Sequence, residues 1–141
     1  MTNPRKKVRF DGIVGPYATF AIDAVTITFD ASLAGHSAAV GMAASLSADQ
    51  TVKLAADGDA IIGRVHAVES DGFATIQTDG FIDFPAGDGV TVTLGSKIVG
   101  ALGAASAPGY IRNAASNNSE DLKASGRVVD AQVQTAVWVK F

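Results

Sequence analysis

Between residues 51 and 94, apolar and polar side chains alternate with a period of two, in short runs cut by Asp-Gly pairs. Such alternation sends successive side chains to opposite faces of an extended chain and marks half-buried strands. Val52 and Leu54 flank Lys53. Ile61, Gly63, Val65 and Ala67 share one face of the next run, with Ile62, Arg64, His66 and Val68 on the other. Phe73, Thr75 and Gln77 oppose Ala74, Ile76 and Thr78. Residues 81–84 form a further run. Val90, Val92 and Leu94 oppose Thr91 and Thr93, which is the cleanest half-buried strand pattern in the chain. The separators are Asp57-Gly58, Asp71-Gly72, Asp79-Gly80 and Asp88-Gly89, with Asp11-Gly12 nearer the N-terminus. Asp-Gly tolerates the positive φ that tight hairpin turns require. The middle of the chain therefore reads as a meander of short antiparallel strands.

The flanks are less regular. Phe20, Ile22 and Ala24 alternate with small or polar neighbours, then Val25, Ile27 and Phe29 alternate with Thr26 and Thr28. The apolar phase flips between Ala24 and Val25; a bulge or bend restores one face, and burial on both faces is the alternative. Residues 31–50 read as loop with a short strand: 39–42 can form the strand, and Ala-rich 43–49 can form one helical turn. Residues 97–102 add a strand. Residues 104–121, rich in Ala, Ser, Asn and Gly, read as a long surface loop in which only Tyr110 and Ile111 suggest a strand. The chain closes with strands at 127–130 and 133–141. On the last, Val133, Thr135, Val137, Val139 and Phe141 share one face, and Gln132, Gln134, Ala136, Trp138 and Lys140 the other. The predicted fold class is all-β: a small antiparallel barrel or sandwich forming one domain over residues 17–141, behind an extended N-terminal arm over residues 1–16.

A chain of 141 residues fits one domain. It contains no cysteine, which excludes disulfides and thiolate metal sites. Charge changes the picture more. Arg5, Lys6, Lys7 and Arg9 crowd the arm, while residues 10–141 hold seven of the 11 basic residues against all 14 acidic ones, a formal charge of −7. The arm is not a signal peptide, because Asp11, Gly12, Gly15, Pro16 and Asp23 break the apolar stretch behind it. No run approaches the ~20 apolar residues of a membrane helix. The expectation is a soluble cytosolic chain without a membrane partner. Nucleic acid is not expected either, since no basic stripe continues into the body and no aromatics interleave with the basic residues. Docking on an acidic protein surface and a solvated tail remain the two readings of Arg5, Lys6, Lys7, Val8, Arg9 and Phe10.

No constellation of catalytic residues stands out. Gly35-His36-Ser37 matches the first half of a nucleophile elbow, but Ala39 occupies the position that needs glycine, so the segment reads as a turn. His36 and His66 are the only histidines and lack a ligand spacing. Asp57-Gly58-Asp59 lacks the further oxygens of a calcium loop and reads as a hairpin turn. The glycines Gly100, Gly103 and Gly109 match neither a dinucleotide fingerprint nor a P-loop. No catalytic residue, metal ligand or cofactor is assigned. Trp138 points with the Gln and Lys side chains of its strand, which suits an interface anchor unless the 104–121 loop covers it. Tyr110 is the second interface candidate.

The run from Val52 to Val65, with its apolar strand, acidic-Gly turn and Ile62-Gly63-Arg64-Val65, resembles a pattern in small capsid decoration (cement) proteins of tailed bacteriophages. Gly72-Phe73-Ala74-Thr75-Ile76-Gln77, Gly80-Phe81-Ile82-Asp83-Phe84-Pro85-Ala86 and Val90-Thr91-Val92-Thr93-Leu94-Gly95 are similar too, as is the Val-rich C-terminal strand. The resemblance covers residues 40–100 and the C-terminus, not the arm or the Asn-rich loop, and its motifs are turn grammar, not a chemical signature. It implies a β-tulip-like, non-enzymatic structural protein, made in the host bacterial cytoplasm and bound to the exterior of the virion capsid. The implied partners are the major capsid protein and further copies of the chain, with a homotrimer favoured. Another virion structural module, in the tail or fibre base, and a carbohydrate-binding β module are the alternatives.

Overall fold

The computed structural model describes residues 17–141; the basic arm and Asp11-Gly12 lie outside the described residues. The fold is all-β. Among the described residues the strands are β1 (Tyr17–Ile22), β2 (Ala43–Ala48), β3 (Thr51–Leu54), β4 (Gly63–Val68), β5 (Phe73–Gln77), β6 (Phe81–Phe84), β7 (Ile98–Ala101), β8 (Tyr110–Asn113), β9 (Arg127–Asp130) and β10 (Val137–Lys140), with a short α-helix, α1 (Asn118–Lys123), and 3-10 turns at Ala34–His36 and Ala104–Ser106. Five strands close into a barrel in the order β1-β3-β2-β4-β5, and β5 pairs back onto β1. A three-stranded sheet β6-β10-β9 and a two-stranded sheet β7-β8 complete the body. Within the barrel, β1 and β3 run parallel, whereas the other pairs are antiparallel.

Two apolar cores lie side by side. Ile27, Val52, Leu54, Val65, Val68, Ala74 and Ile76 fill the barrel. Ile82, Phe84, Val92, Ile98, Ile111, Val128, Val137 and Val139 pack in the second core. Strand β2 separates them. Ala43 belongs to the second core and its neighbour Ala44 to the barrel, both with no exposed surface. Only residues 43–45 of β2 are buried, on both faces, and the rest of the strand is exposed, so it shows no alternation; that is why Ala-rich 43–49 looked helical or irregular in sequence. The expected strand at residues 39–42 is instead the turn leading into β2.

Other departures from the sequence reading share one cause: backbone groups find side-chain partners. The strand expected at residues 25–29 does not form. The Asp23 carboxylate accepts the N–H groups of Val25, Thr26 and Ile27 and the Thr26 hydroxyl. Burial pushes that carboxyl up, but these donors outweigh it and hold it below its usual value. The chain bends so sharply that Ile27 is buried while Val25 is 81% exposed. Residues 90–93 pair with no strand, and Leu94 already belongs to the turn that follows. Gln134 acts as a surrogate strand on one side, its Oε1 accepting from Val92 N at 2.8 Å and its Nε2 donating to Val92 O at 3.1 Å. On the other side Asn113 Oδ1 accepts from Thr93 N at 3.1 Å.

The Asp-Gly turns are where the sequence placed them: Gly58, Gly72, Gly80 and Gly89 all take positive φ. Of the four, Asp71-Gly72 alone joins consecutive paired strands, β4 and β5. Asp79-Gly80 carries the chain out of the barrel to β6. Asp57-Gly58 is not a hairpin into the next strand; Gly58 N donates to Gly100 O, and Gly100 N donates to Asp59 O. The meander is thus replaced by strands shared among three sheets. The segment 104–121 is likewise not one loop. It contains β8, whose Ile111 is fully buried, and the start of α1.

Helix α1 is held by charge. Asn117 caps it by accepting from Glu120 N. The Arg112 guanidinium from β8 bonds both Glu120 oxygens and Asp57, and Glu120 also accepts from Ala115 N. Arg112 first, then the Ala115 N–H, lowers the Glu120 carboxyl from 4.5 to about 2. This contribution is fully present above pH 4.5 and is lost as the pH falls toward about 2. Thermal melts across that window will therefore show declining stability, with a shallower decline in Arg112→Ala.

Gly63 sits where β2, β4 and β5 converge, and a Cβ there would overlap the Gln77 carbonyl oxygen. Gly63→Ala is expected to cost about 1–3 kcal/mol or more in denaturant unfolding, because backbone cannot move aside as a side chain can.

Candidate binding face

Strand β10 lies between β6 and β9, so its own alternation decides what the three-stranded sheet shows to solvent. Val137 and Val139 point into the second core and have no exposed surface. Trp138 and Lys140 must then point outward. Register fixes their neighbours. Trp138 stands opposite Asp83 of β6 and Asp130 of β9, and Lys140 opposite Phe81 of β6 and Arg127 of β9. The open face thus carries two rows across the strands: Asp83–Trp138–Asp130, then Phe81–Lys140–Arg127. A register shift between Trp138 and Val139 adds Val129 beside the first row. Trp138 is 42% exposed, Val129 42% and Phe81 58%.

The rim charges are only partly matched. Asp83 faces the Arg64 guanidinium, Nε to Oδ1 3.6 Å. That Nε is buried and has no hydrogen-bond partner among the described residues, so the carboxylate lies just beyond bonding reach. Lys140 Nζ rests 5.9 Å from the centre of the Phe81 ring, a cation–π contact. Asp130 accepts Gln132 N, and Arg127 reaches the Gly95 carbonyl at 3.4 Å. Among the described residues, Asp130, Arg127 and Lys140 make no ion pair. Chemically, the face can stack a planar or cationic group on Trp138 and pair charges beside it.

The sequence candidates scatter. Arg5, Lys6, Lys7, Val8, Arg9 and Phe10 lie outside the described residues. Tyr110 is half-buried on β8, in a different sheet from Trp138, and its ring packs where a Gly103 side chain would stand. Its ring is therefore used within the fold. Gly35-His36-Ser37 forms a turn, in which the buried Ser37 hydroxyl accepts from Ala39 N at 3.1 Å. His36 packs edge-on to Phe29 and His66 against Tyr17. Among the described residues no group of three or more His, Cys, Asp or Glu side chains is placed to hold a metal, and no helix is long and apolar enough to cross a membrane. Sequence reasoning placed Trp138 outward but did not single out Phe81, Asp83, Arg127 or Asp130, which share its face. Their outward phase was readable from the alternation of 81–84 and 127–130, but cross-strand register was not.

No protein-family model, curated protein or solved structure matches this chain.

Trp138 is the only tryptophan, so its fluorescence reports on this face directly. Emission from the dilute folded protein is expected to be red-shifted and readily quenched by acrylamide. Trp138→Ala is expected to cost about 1 kcal/mol or less in urea unfolding, against about 3–5 kcal/mol for Phe84→Ala, whose ring is fully buried.

Proposed function

We propose that this protein is a capsid decoration protein of a tailed bacteriophage, binding the outer surface of an assembled head and bracing contacts between major capsid proteins. The observation that carries this reading is the open β6-β10-β9 face. It is an aromatic and charged surface on a sheet locked from behind by Ile82, Phe84, Val137 and Val139. Exposed aromatics on a rigid support are the usual anchors of protein contacts. The sequence resemblance to decoration proteins points the same way.

The arm adds to this. Tyr17 pairs with Gln77, whose Nε2 donates to the Phe81 carbonyl at 3.5 Å. The expected arm precedes Tyr17 in sequence, and Tyr17 lies near the edge strand of the open face. Its Lys7-Val8-Arg9-Phe10 alternation suits strand addition to a shell protein, with apolar and cationic side chains on opposite faces. Repetition over many identical shell sites lets modest contacts suffice.

A second reading, a carbohydrate-binding module, draws on Phe81 and Trp138 lying diagonally on one face with Asp83 and Asp130 alongside to accept sugar hydroxyls. Glycan-array binding that disappears in Trp138→Ala would favour it over the first.

The direct test mixes purified protein with undecorated mature heads of the phage that encodes it. Co-sedimentation at saturation and a higher melting temperature of the shells are expected, with weaker binding after deletion of residues 1–10. Shells left unbound and unstabilised by saturating protein contradict the proposal.

A further inference from the structure

The two rows of the open face are complementary to each other, which gives the face a preferred partner. Consider a two-fold axis lying in the contact plane, perpendicular to the strands and midway between the rows. Rotation about it lays the first row of one copy on the second row of the other and keeps the order across the sheet. Trp138 then covers Lys140 of the second copy, Asp130 meets Arg127, and Asp83 meets Phe81. The contact repeats symmetrically, as an isologous interface requires. Asp130, Arg127 and Lys140, which make no ion pair within the described chain, are the residues that this rotation matches. Asp83, which already faces Arg64, falls on the uncharged ring. The other face-to-face two-fold, parallel to the strands, sets Lys140 against Lys140 and Asp83 against Asp130, so like charges meet. We propose that the β6-β10-β9 face binds the same face of a second copy of this chain across a two-fold axis, with Trp138 over Lys140 and Asp130 paired to Arg127. The inference rests on reading this face as a protein-contact surface, and it makes the occupant a second copy in place of a capsid protein, which leaves the shell contact of a paired copy to its other surfaces and to residues 1–16.

Strand spacing and rise make the face about 14 Å by about 13 Å, roughly 200 Å² in projection. A standard interface buries about 800 Å² per partner. The pair is therefore weak in free solution, with a dissociation constant in the micromolar range or above, and is strengthened where a lattice holds copies side by side. A threefold ring, by contrast, is heterologous and needs a second, different patch opposite this one.

Sedimentation equilibrium of the full chain from about 1 μM to about 1 mM tests the proposal. The apparent mass is expected to double across the series. Trp138 emission should shift to the blue and acrylamide quenching should fall over the same range. Raising salt from about 0.05 M to about 0.5 M should weaken the pair, because the charges at its rim are screened. Arg127→Asp alone and Asp130→Arg alone should each weaken pairing at least tenfold, and the two together should restore it to within a few-fold of the parent. A structural role for either residue does not produce that rescue. If a single variant fails to fold, the salt dependence and the Trp138 shift of the unmodified chain decide the matter. A monomer throughout, a threefold mass, or a dimer indifferent to salt and to charge reversal overturns the proposal. Binding to heads is read separately: shell binding by a chain that stays monomeric sinks this inference alone, and a dimer that ignores shells sinks only the decoration reading.

Discussion

The outer face depends on the register of β10 between β6 and β9. Side chains alternate along a strand, so a slip of one residue would bury Trp138 and Lys140 and expose Val137 and Val139. The second core forbids that slip. Phe84 and Ile82 on one side and Val128 on the other close over the two valines, and Phe141 packs edge-on to Phe84 with ring centres 5.8 Å apart. At roughly 25 cal/mol per Å² of apolar surface, exposing two valines and burying an ammonium would cost several kcal/mol. Burial behind the sheet therefore dictates the arrangement in front of it, even though no core residue reaches that face.

The barrel serves this arrangement as a foundation. Its wall β2 faces both cores, and only side chains as small as Ala43 and Ala44 let the cores approach so closely. Gly63, Gly100 and Gly103 mark further close approaches, to the Gln77 carbonyl, the Ala56 carbonyl and the Tyr110 ring. Small residues at these positions thus have a packing role. The Arg112–Glu120–Asp57 network ties α1 and the Asp57-Gly58 loop to β8. Such partly exposed ion pairs contribute modestly to stability; what they add here is a fixed position for a segment with little apolar surface to bury.

Local patterns in the sequence revealed the fold class, the turns, and the two faces of β5 and β10, because each follows from neighbours two residues apart. Residues 25–29 and 90–94 carry the same alternation yet form no ladder. Their fate is set by single polar side chains: Asp23 close by, and Asn113 and Gln134, which are 20 and 42 residues from the backbone groups they bond. No window of sequence contains that information. The same limit applied to the site. Trp138 was legible as an outward aromatic, but the rows around it depend on strands some fifty residues apart in the chain. The parallel β1–β3 pair was hidden for a similar reason, since its crossover includes β2 and an irregular segment with a single 3-10 turn at Ala34–His36 in place of an α-helix.

The central claim is the proposal that this body, with its outward β6-β10-β9 face and the basic residues Arg5, Lys6, Lys7 and Arg9 ahead of it in sequence, fastens other proteins together. An electron cryomicroscopy map of the native phage head tests it most directly. The account predicts repeated density on the outside of the shell into which the barrel and its second sheet fit, with the Tyr17 end directed toward the capsid proteins. A well-resolved map with no such density on the head, or with it at the tail alone, would contradict it.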